Sequence, residues 1–180
     1  GEMYLAAYDR SGRFQSVEGT AEATTLADNS VDGVVAGQAF HWFNPERART
    51  EFCRITKPNG WGALVWNSRK TDSSPFLRAY EALLREFGTD YAAIRHEDIA
   101  TEIFEQFFGA GHIRHVLPNV QRFDLAGVTG RLLSSSYAPA AGHPRHEPML
   151  AALATIFQEH ACDGVVEFEY DTEIFAGRLC

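Results

Sequence analysis

An open α/β sheet with helices on both faces is the fold class this sequence predicts, and three observations predict it. Two compact apolar runs, Val31 to Ala36 and Trp61 to Trp66, read as buried parallel strands. Between them Asn44-Pro45-Glu46 starts a helix and Lys57-Pro58-Asn59-Gly60 ends it, so strand, helix, turn and strand form one right-handed crossover unit. The rest of the chain alternates helical and extended patterns. With 180 residues, 45% hydrophobic and 22% charged, the chain has the balance of a soluble globular protein with a sizeable core. No sharp composition shift divides it, so one domain over 1–180 is expected.

The elements follow in order. Glu2 to Arg10 is Ala-rich and helix-compatible, with Ser11-Gly12 as its stop. Phe14 to Val17 reads as a short extended stretch, and Ala27-Asp28-Asn29-Ser30 as turn chemistry before the first apolar strand. In the crossover helix Asn44 is the N-cap, Pro45 suits the first turn and Glu46 sits beside the positive end of the dipole. Ala48, Phe52 and Ile55 share one face. Pro75 to Phe87 places Phe76, Leu77, Tyr80, Leu83, Leu84 and Phe87 at helical spacing, and Ile99, Ile103 and Phe107 predict a shorter helix. Ile113 to Phe123 is extended, a helix is expected near Leu125 to Ser134, and another buries Met149, Leu150, Leu153, Ile156 and Phe157. In the closing strand, Val166, Phe168 and Tyr170 alternate with Val165, Glu167 and Glu169, which marks one wetter face. The helical stretches within 70–111 and 125–162 are expected as lid or cover elements.

Charge and composition exclude several classes. Sixteen Lys+Arg against 24 Asp+Glu give a net charge of −8, which offers no global basic field for nucleic acid or an anionic membrane. The longest apolar runs fall far short of the roughly 20 residues of a membrane span. Three cysteines, Cys53, Cys162 and Cys180, are widely spaced and form no CxxC pair, which argues against a disulfide scaffold and for a reducing, cytoplasmic setting. Cys53, inside an amphipathic helix, reads as core packing. His112 with His115, and His143 with His146, lack a well-placed third ligand, so no metal is expected.

In an open α/β sheet, ligands bind beyond the carboxyl ends of the strands. Glu18-Gly19-Thr20-Ala21-Glu22, Gly37-Gln38-Ala39-Phe40-His41-Trp42-Phe43 and Asn67-Ser68-Arg69-Lys70 each follow an apolar or extended run there. The strings Gly19-Thr20-Ala21-Glu22, Val31-Asp32-Gly33-Val34-Val35, Ala39-Phe40-His41-Trp42-Phe43 and Arg54-Ile55-Thr56-Lys57-Pro58-Asn59-Gly60 come in an order and spacing that resembles the class I S-adenosylmethionine-dependent methyltransferases. The Phe-His-Trp-Phe run, with Ser134-Ser135-Ser136-Tyr137 and Phe168-Glu169-Tyr170-Asp171-Thr172, looks most like the small-molecule branch that includes ubiquinone-type and trans-aconitate-type enzymes.

The resemblance implies a Rossmann-like sheet, S-adenosylmethionine as cofactor and a small-molecule methyl acceptor. It implies that Thr20, Ala21 and Glu22 lie along the adenine, and that Gly37, Gln38 and Ala39 line the cofactor. Family members often carry Asp where Thr20 stands, which removes one acceptor for the adenine amino group although Thr can still hydrogen-bond. His41 is the expected catalytic base or acceptor contact, since an imidazole with a pKa of about 6.5 suits proton removal. Phe40, Trp42, Asn67 and Tyr137 are the expected substrate-binding residues. The Gly-rich first loop and the acidic residue after the second strand have no counterpart here, so the N-terminal strands of the domain are expected to be missing. Their absence would leave unpaired sheet edges that favour self-association. The rival readings are an incomplete methyltransferase remnant acting as an interaction or complementing module, and another nucleotide-binding α/β enzyme such as a reductase.

Overall fold

Strand β1 (Val31–Gly37) pairs parallel with β2 (Thr56–Arg69), and helix α1 (Pro45–Ile55) connects them, as the crossover reading predicts. The computed structural model describes residues 14–89, 91, 101–108 and 111–179; the expected helix from Glu2 to Arg10 and residue Ile99 lie outside them. The other elements are α2 (Pro75–Phe87), α3 (Thr101–Phe108), β3 (Ile113–Phe123), α4 (Leu125–Leu133), α5 (His146–His160) and β4 (Val166–Arg178). The strand order is β1-β2-β4-β3. Two compact units are present: Gly1–Val65 with Ala100–Arg114 and Phe175–Cys180, and Trp66–Ile99 with His115–Ile174.

In the first unit the caps are those the sequence encodes. The Asn44 side chain accepts from the Arg47 N–H at 3.1 Å, and Pro45 occupies the first turn, where no intrahelical N–H is needed. Lys57-Pro58-Asn59-Gly60 behaves differently from the expected helix-ending turn. Thr56 already pairs with Val31, and the next pair is Gly33 with Trp61, so these four residues form a bulge inside β2. Asn59 makes this feasible by adopting φ 68°, a left-handed conformation that Asn tolerates better than most residues. Gly33 is required opposite Trp61, because a Cβ there would lie 2.5 Å from the indole ring.

Phe14 to Val17 is not a strand. No partner strand pairs with it among the described residues, and the next ordered feature is the Thr20–Ala23 bridge, closed by two backbone hydrogen bonds of 3.1 Å. The core of this unit is aromatic. Phe40 and Phe107 meet edge to face at 4.8 Å, Phe104 stacks on Phe175 at 4.0 Å, and α3 packs against α1 with the Arg49 guanidinium donating to the Phe107 carbonyl at 2.8 Å. Cys53, expected as core packing, is disulfide-bonded, which corrects the reading drawn from its place on an amphipathic helix.

The second unit is built on α2, α4 and α5. Ser74 caps α2 by accepting from the Leu77 N–H at 3.2 Å, and Asp124 caps α4 by accepting from Gly127 at 2.7 Å. Leu77, Leu84, Val128, Leu132, Met149 and Leu153 are almost wholly buried together with Val166, Phe168 and Tyr170 of β4. The alternation read from the sequence therefore selects the inward face of β4, while Glu167 stays exposed and pairs with Arg122 of β3 at 2.8 Å. β4 runs eight residues past Tyr170, to Arg178, through polar Asp171, Thr172 and Glu173 that carry no apolar period.

Candidate functional site

β1 ends at Gly37, and beyond it the backbone turns sharply. Gln38 takes φ 52° and its N–H donates to the Val65 carbonyl at 2.9 Å, after which Phe40–Trp42 forms a 3-10 turn. A cavity of about 400 Å³ opens at this carboxyl end of β1. Val17, Gly19, Thr20, Ala21, Thr24 and Leu26 line one stretch of it, and Val35, Ala36, Gly37, Ala39, Phe43 and Phe52 the other. Four of the six predicted cofactor residues, Thr20, Ala21, Gly37 and Ala39, are thus brought together, although they come from segments separated by a strand. The size is within the roughly 300–1,000 Å³ of small-molecule pockets, and the lining is apolar apart from two threonines and backbone.

Glu22 is not among the lining residues. Its carboxylate accepts from the Asn44 N–H at 2.8 Å and from the Thr20 hydroxyl, and the Asn44 bond leads the effects that hold its pKa below the ordinary carboxylate range. It ties the Thr20 loop to the start of α1, and Thr20 keeps its oxygen lone pairs as acceptors.

A second acid, Glu51, does similar work from inside α1 and was missed in the sequence. It is buried beside Ala48, Phe52 and Ile55, and it accepts from the Arg54 guanidinium, the Thr24 hydroxyl at 2.6 Å and the Thr24 N–H at 2.8 Å. These bonds, the one from Arg54 foremost, lower its pKa to about 2. Arg54 also holds the Leu26 carbonyl at 2.8 Å and pairs with Asp28, so one guanidinium spans the loop that forms the cavity wall. The available signal was a carboxylate at an apolar-face position of an amphipathic helix, followed three residues later by Arg.

The remaining predicted residues are placed as follows. Phe40 is 2% exposed and belongs to the aromatic core. His41 and Trp42 lie on the exposed face of the 3-10 turn, with ring centres 4.8 Å apart and Trp42 79% exposed. Asn67 and Tyr137 belong to the second unit. The Asn67 side-chain carbonyl accepts from Thr172 at 2.6 Å, and Tyr137 packs edge to face on Tyr91 at 4.9 Å. His143 accepts from the Arg145 N–H, and His146 bonds the Pro139 carbonyl. No helix among the described residues is long and apolar enough to cross a membrane.

Comparison with known proteins agrees with this geometry. The family described as "Methyltransferase domain" matches residues 2–64, the stretch that carries all the lining residues of the cavity. An uncharacterized methyltransferase-like protein of Schizosaccharomyces pombe is 43% identical over 72 residues, which are 40% of this chain and 28% of that protein. An uncharacterized methyltransferase of Mycobacterium bovis is 53% identical over 51 residues, 28% of this chain and 21% of its own length. The chain therefore spans under a third of the length of the curated relatives it matches. Among solved structures, a protein of Anaeromyxobacter dehalogenans proposed to be a type II methyltransferase superposes with a TM-score of 0.66 at 21% identity, covering 99% of this chain and 77% of that one. Residues 2–64 are thus similar in sequence to a methyltransferase domain, and the chain shares its Rossmann-like fold with a solved structure of that kind. The relatives do not single out a narrower branch.

Proposed function

We propose that this chain carries out, or forms part of a larger protein that carries out, methyl transfer from S-adenosylmethionine to a small-molecule acceptor. The observation that carries the reading is the cavity at the end of β1, walled by Thr20, Ala21, Gly37 and Ala39. Its fit to the cofactor is supported by the chemistry of the lining: apolar side chains suit the faces of a purine, the Thr20 oxygen can accept from an exocyclic amino group, and a Cβ added at Gly37 would meet nothing within 4 Å, so the backbone there faces open space.

When bound, the cofactor supplies a methyl group on a sulfonium centre that is already activated for displacement. The protein's part is positioning and exclusion of water. Glu22 and Glu51 fix the loop against α1, and the turn after Gln38 presents the exposed His41 and Trp42 as the groups to meet the acceptor. His41 is the proposed base or acceptor contact, and the Trp42 face is suited to a cationic or apolar group.

Calorimetric titration of S-adenosylmethionine and its demethylated product into this chain and into Gly37→Leu tests the reading. The Cβ of the new side chain meets nothing within 4 Å, so the variant is expected to fold and, with its isobutyl group on the cavity wall, to lose binding. Equal binding by both proteins, or none by the folded parent chain, rejects the assignment of this cavity.

A further inference from the structure

A cluster lying wholly within the second unit has chemistry that the methyl-transfer reading does not use. The Arg69 guanidinium donates through one terminal nitrogen to Glu81 at 2.7 Å and to the Tyr91 hydroxyl at 2.9 Å, and Tyr91 in turn donates to the same Glu81 oxygen at 2.6 Å. The other terminal nitrogen, Nη1, is buried and donates to nothing. Arg131 stands over three rings, 4.7 Å from the centre of Phe168, 5.4 Å from Tyr170 and 6.0 Å from Phe123, and its buried Nε also lacks an acceptor. Tyr170 is 3% exposed, and its hydroxyl is the third buried donor without a partner.

Native structures leave few such atoms unsatisfied, because an unmade hydrogen bond in the interior is costly. These three share a neighbourhood. Both guanidinium charges act on the hydroxyls of Tyr80 and Tyr170, and the Tyr80 and Phe168 rings are 4.9 Å apart. Burial pushes the Tyr170 hydroxyl above its ordinary pKa, so it remains an O–H donor at neutral pH. The charge count is equally one-sided. Glu81 balances one of the two arginines, while Arg85, which also touches Glu81 at 3.2 Å, is 64% exposed and left to water. A trapped water could accept from the tyrosine but would leave a buried positive charge uncompensated.

We infer that this cluster is a binding site for a small organic carboxylate, which accepts from Arg131 Nε, Arg69 Nη1 and the Tyr170 hydroxyl. A carboxylate brings the single negative charge that the cluster lacks and enough lone pairs for three donors, whereas a phosphate dianion would overcompensate it. Phe168 and Tyr80, in edge-to-face contact at 4.9 Å and each under one of the two guanidinium groups, form the apolar surface beside these donors. The assignment is independent of the cofactor cavity and stands or falls separately from it.

The test is calorimetric titration of the full chain with acetate, benzoate, the neutral isostere benzamide and inorganic phosphate, repeated with Tyr170→Phe and Arg131→Met. Tyr170→Phe removes a hydroxyl that bonds nothing, so it is expected to leave the melting temperature unchanged and to weaken carboxylate binding by about tenfold, the factor of one hydrogen bond to a charged group. Arg131→Met is expected to abolish binding, and benzamide to give no saturable heat. Absence of saturable carboxylate binding, equal binding by Tyr170→Phe and the parent, or equal binding of benzamide overturns the proposal. Tighter binding of phosphate than of either carboxylate overturns the ligand class.

Discussion

Glu51 and Thr24, 27 positions apart in the chain, are joined twice: the carboxylate accepts both the hydroxyl and the backbone N–H of Thr24. Through this pair the helix after the cavity holds the loop before it. Replacing Glu51 with Ala is expected to lower the melting temperature and to weaken S-adenosylmethionine binding together, because Thr24 and Leu26 are cavity wall. The pair also carries a pH signature. The Glu51 pKa falls from 4.5 to about 2 in the folded chain, so its stabilisation is present above about pH 4.5 and is lost as pH drops toward 2. Melting temperature measured against pH for the parent and Glu51→Gln should converge over that window and separate above it.

In the second unit, Glu81→Leu should cost far more than a surface change. The residue is buried, and its removal leaves Arg69 without its counter-charge, an effect on the order of 3–5 kcal/mol in denaturant unfolding. Burial alone would raise the Glu81 pKa, but the hydrogen bonds from Tyr91 and Arg69 outweigh it and hold the pKa below the ordinary value. The stabilisation is therefore complete above the unfolded pKa and lost on acidification. An exposed-residue cost, within about 0.5 kcal/mol, would show that the network is not a structural charge pair.

Leu132→Ala probes the packing of α4 against α5. Leu132 is fully buried in the cluster with Met149 and Leu153, so the deletion should cost about 2–5 kcal/mol, the transfer and cavity terms combined. Its unfolding midpoint in urea, compared with that of the exposed Leu133→Ala, gives the difference directly.

Trp42→Ala separates function from stability. The indole is 79% exposed, so stability should change by no more than about 0.5 kcal/mol. Methyl transfer, once an acceptor is in hand, should fall while cofactor binding stays constant, since Trp42 is not among the cavity-lining residues. A parallel loss of cofactor affinity would move Trp42 from the acceptor to the cofactor.

The extent to which the sequence announces this fold depends on how local each signal is. The caps at Asn44, Ser74 and Asp124 act over three residues, and α2 begins and ends where its apolar period does. The juxtaposition of Thr20 and Ala21 with Gly37 and Ala39 was reached through family resemblance, because no periodicity connects a loop to a strand end. The bulge at Lys57–Gly60 was misread as a turn since Pro-Asn-Gly has the same chemistry in both settings, and only the pairing of Thr56 with Val31 distinguishes them. Phe40 was assigned to substrate as part of an aromatic run, yet which of four consecutive rings turns inward is decided by Phe107, 67 positions later. Arg69 stood out only for following an apolar run, and Arg131 gave no signal at all: it is an ordinary charge until the fold packs it over three rings.

Gln38 has a further consequence. A side chain held at φ 52° costs about 1 kcal/mol that glycine would not incur. A search for heat-tolerant variants would accordingly be drawn to Gln38→Gly, on the rim where β1 gives way to the 3-10 turn.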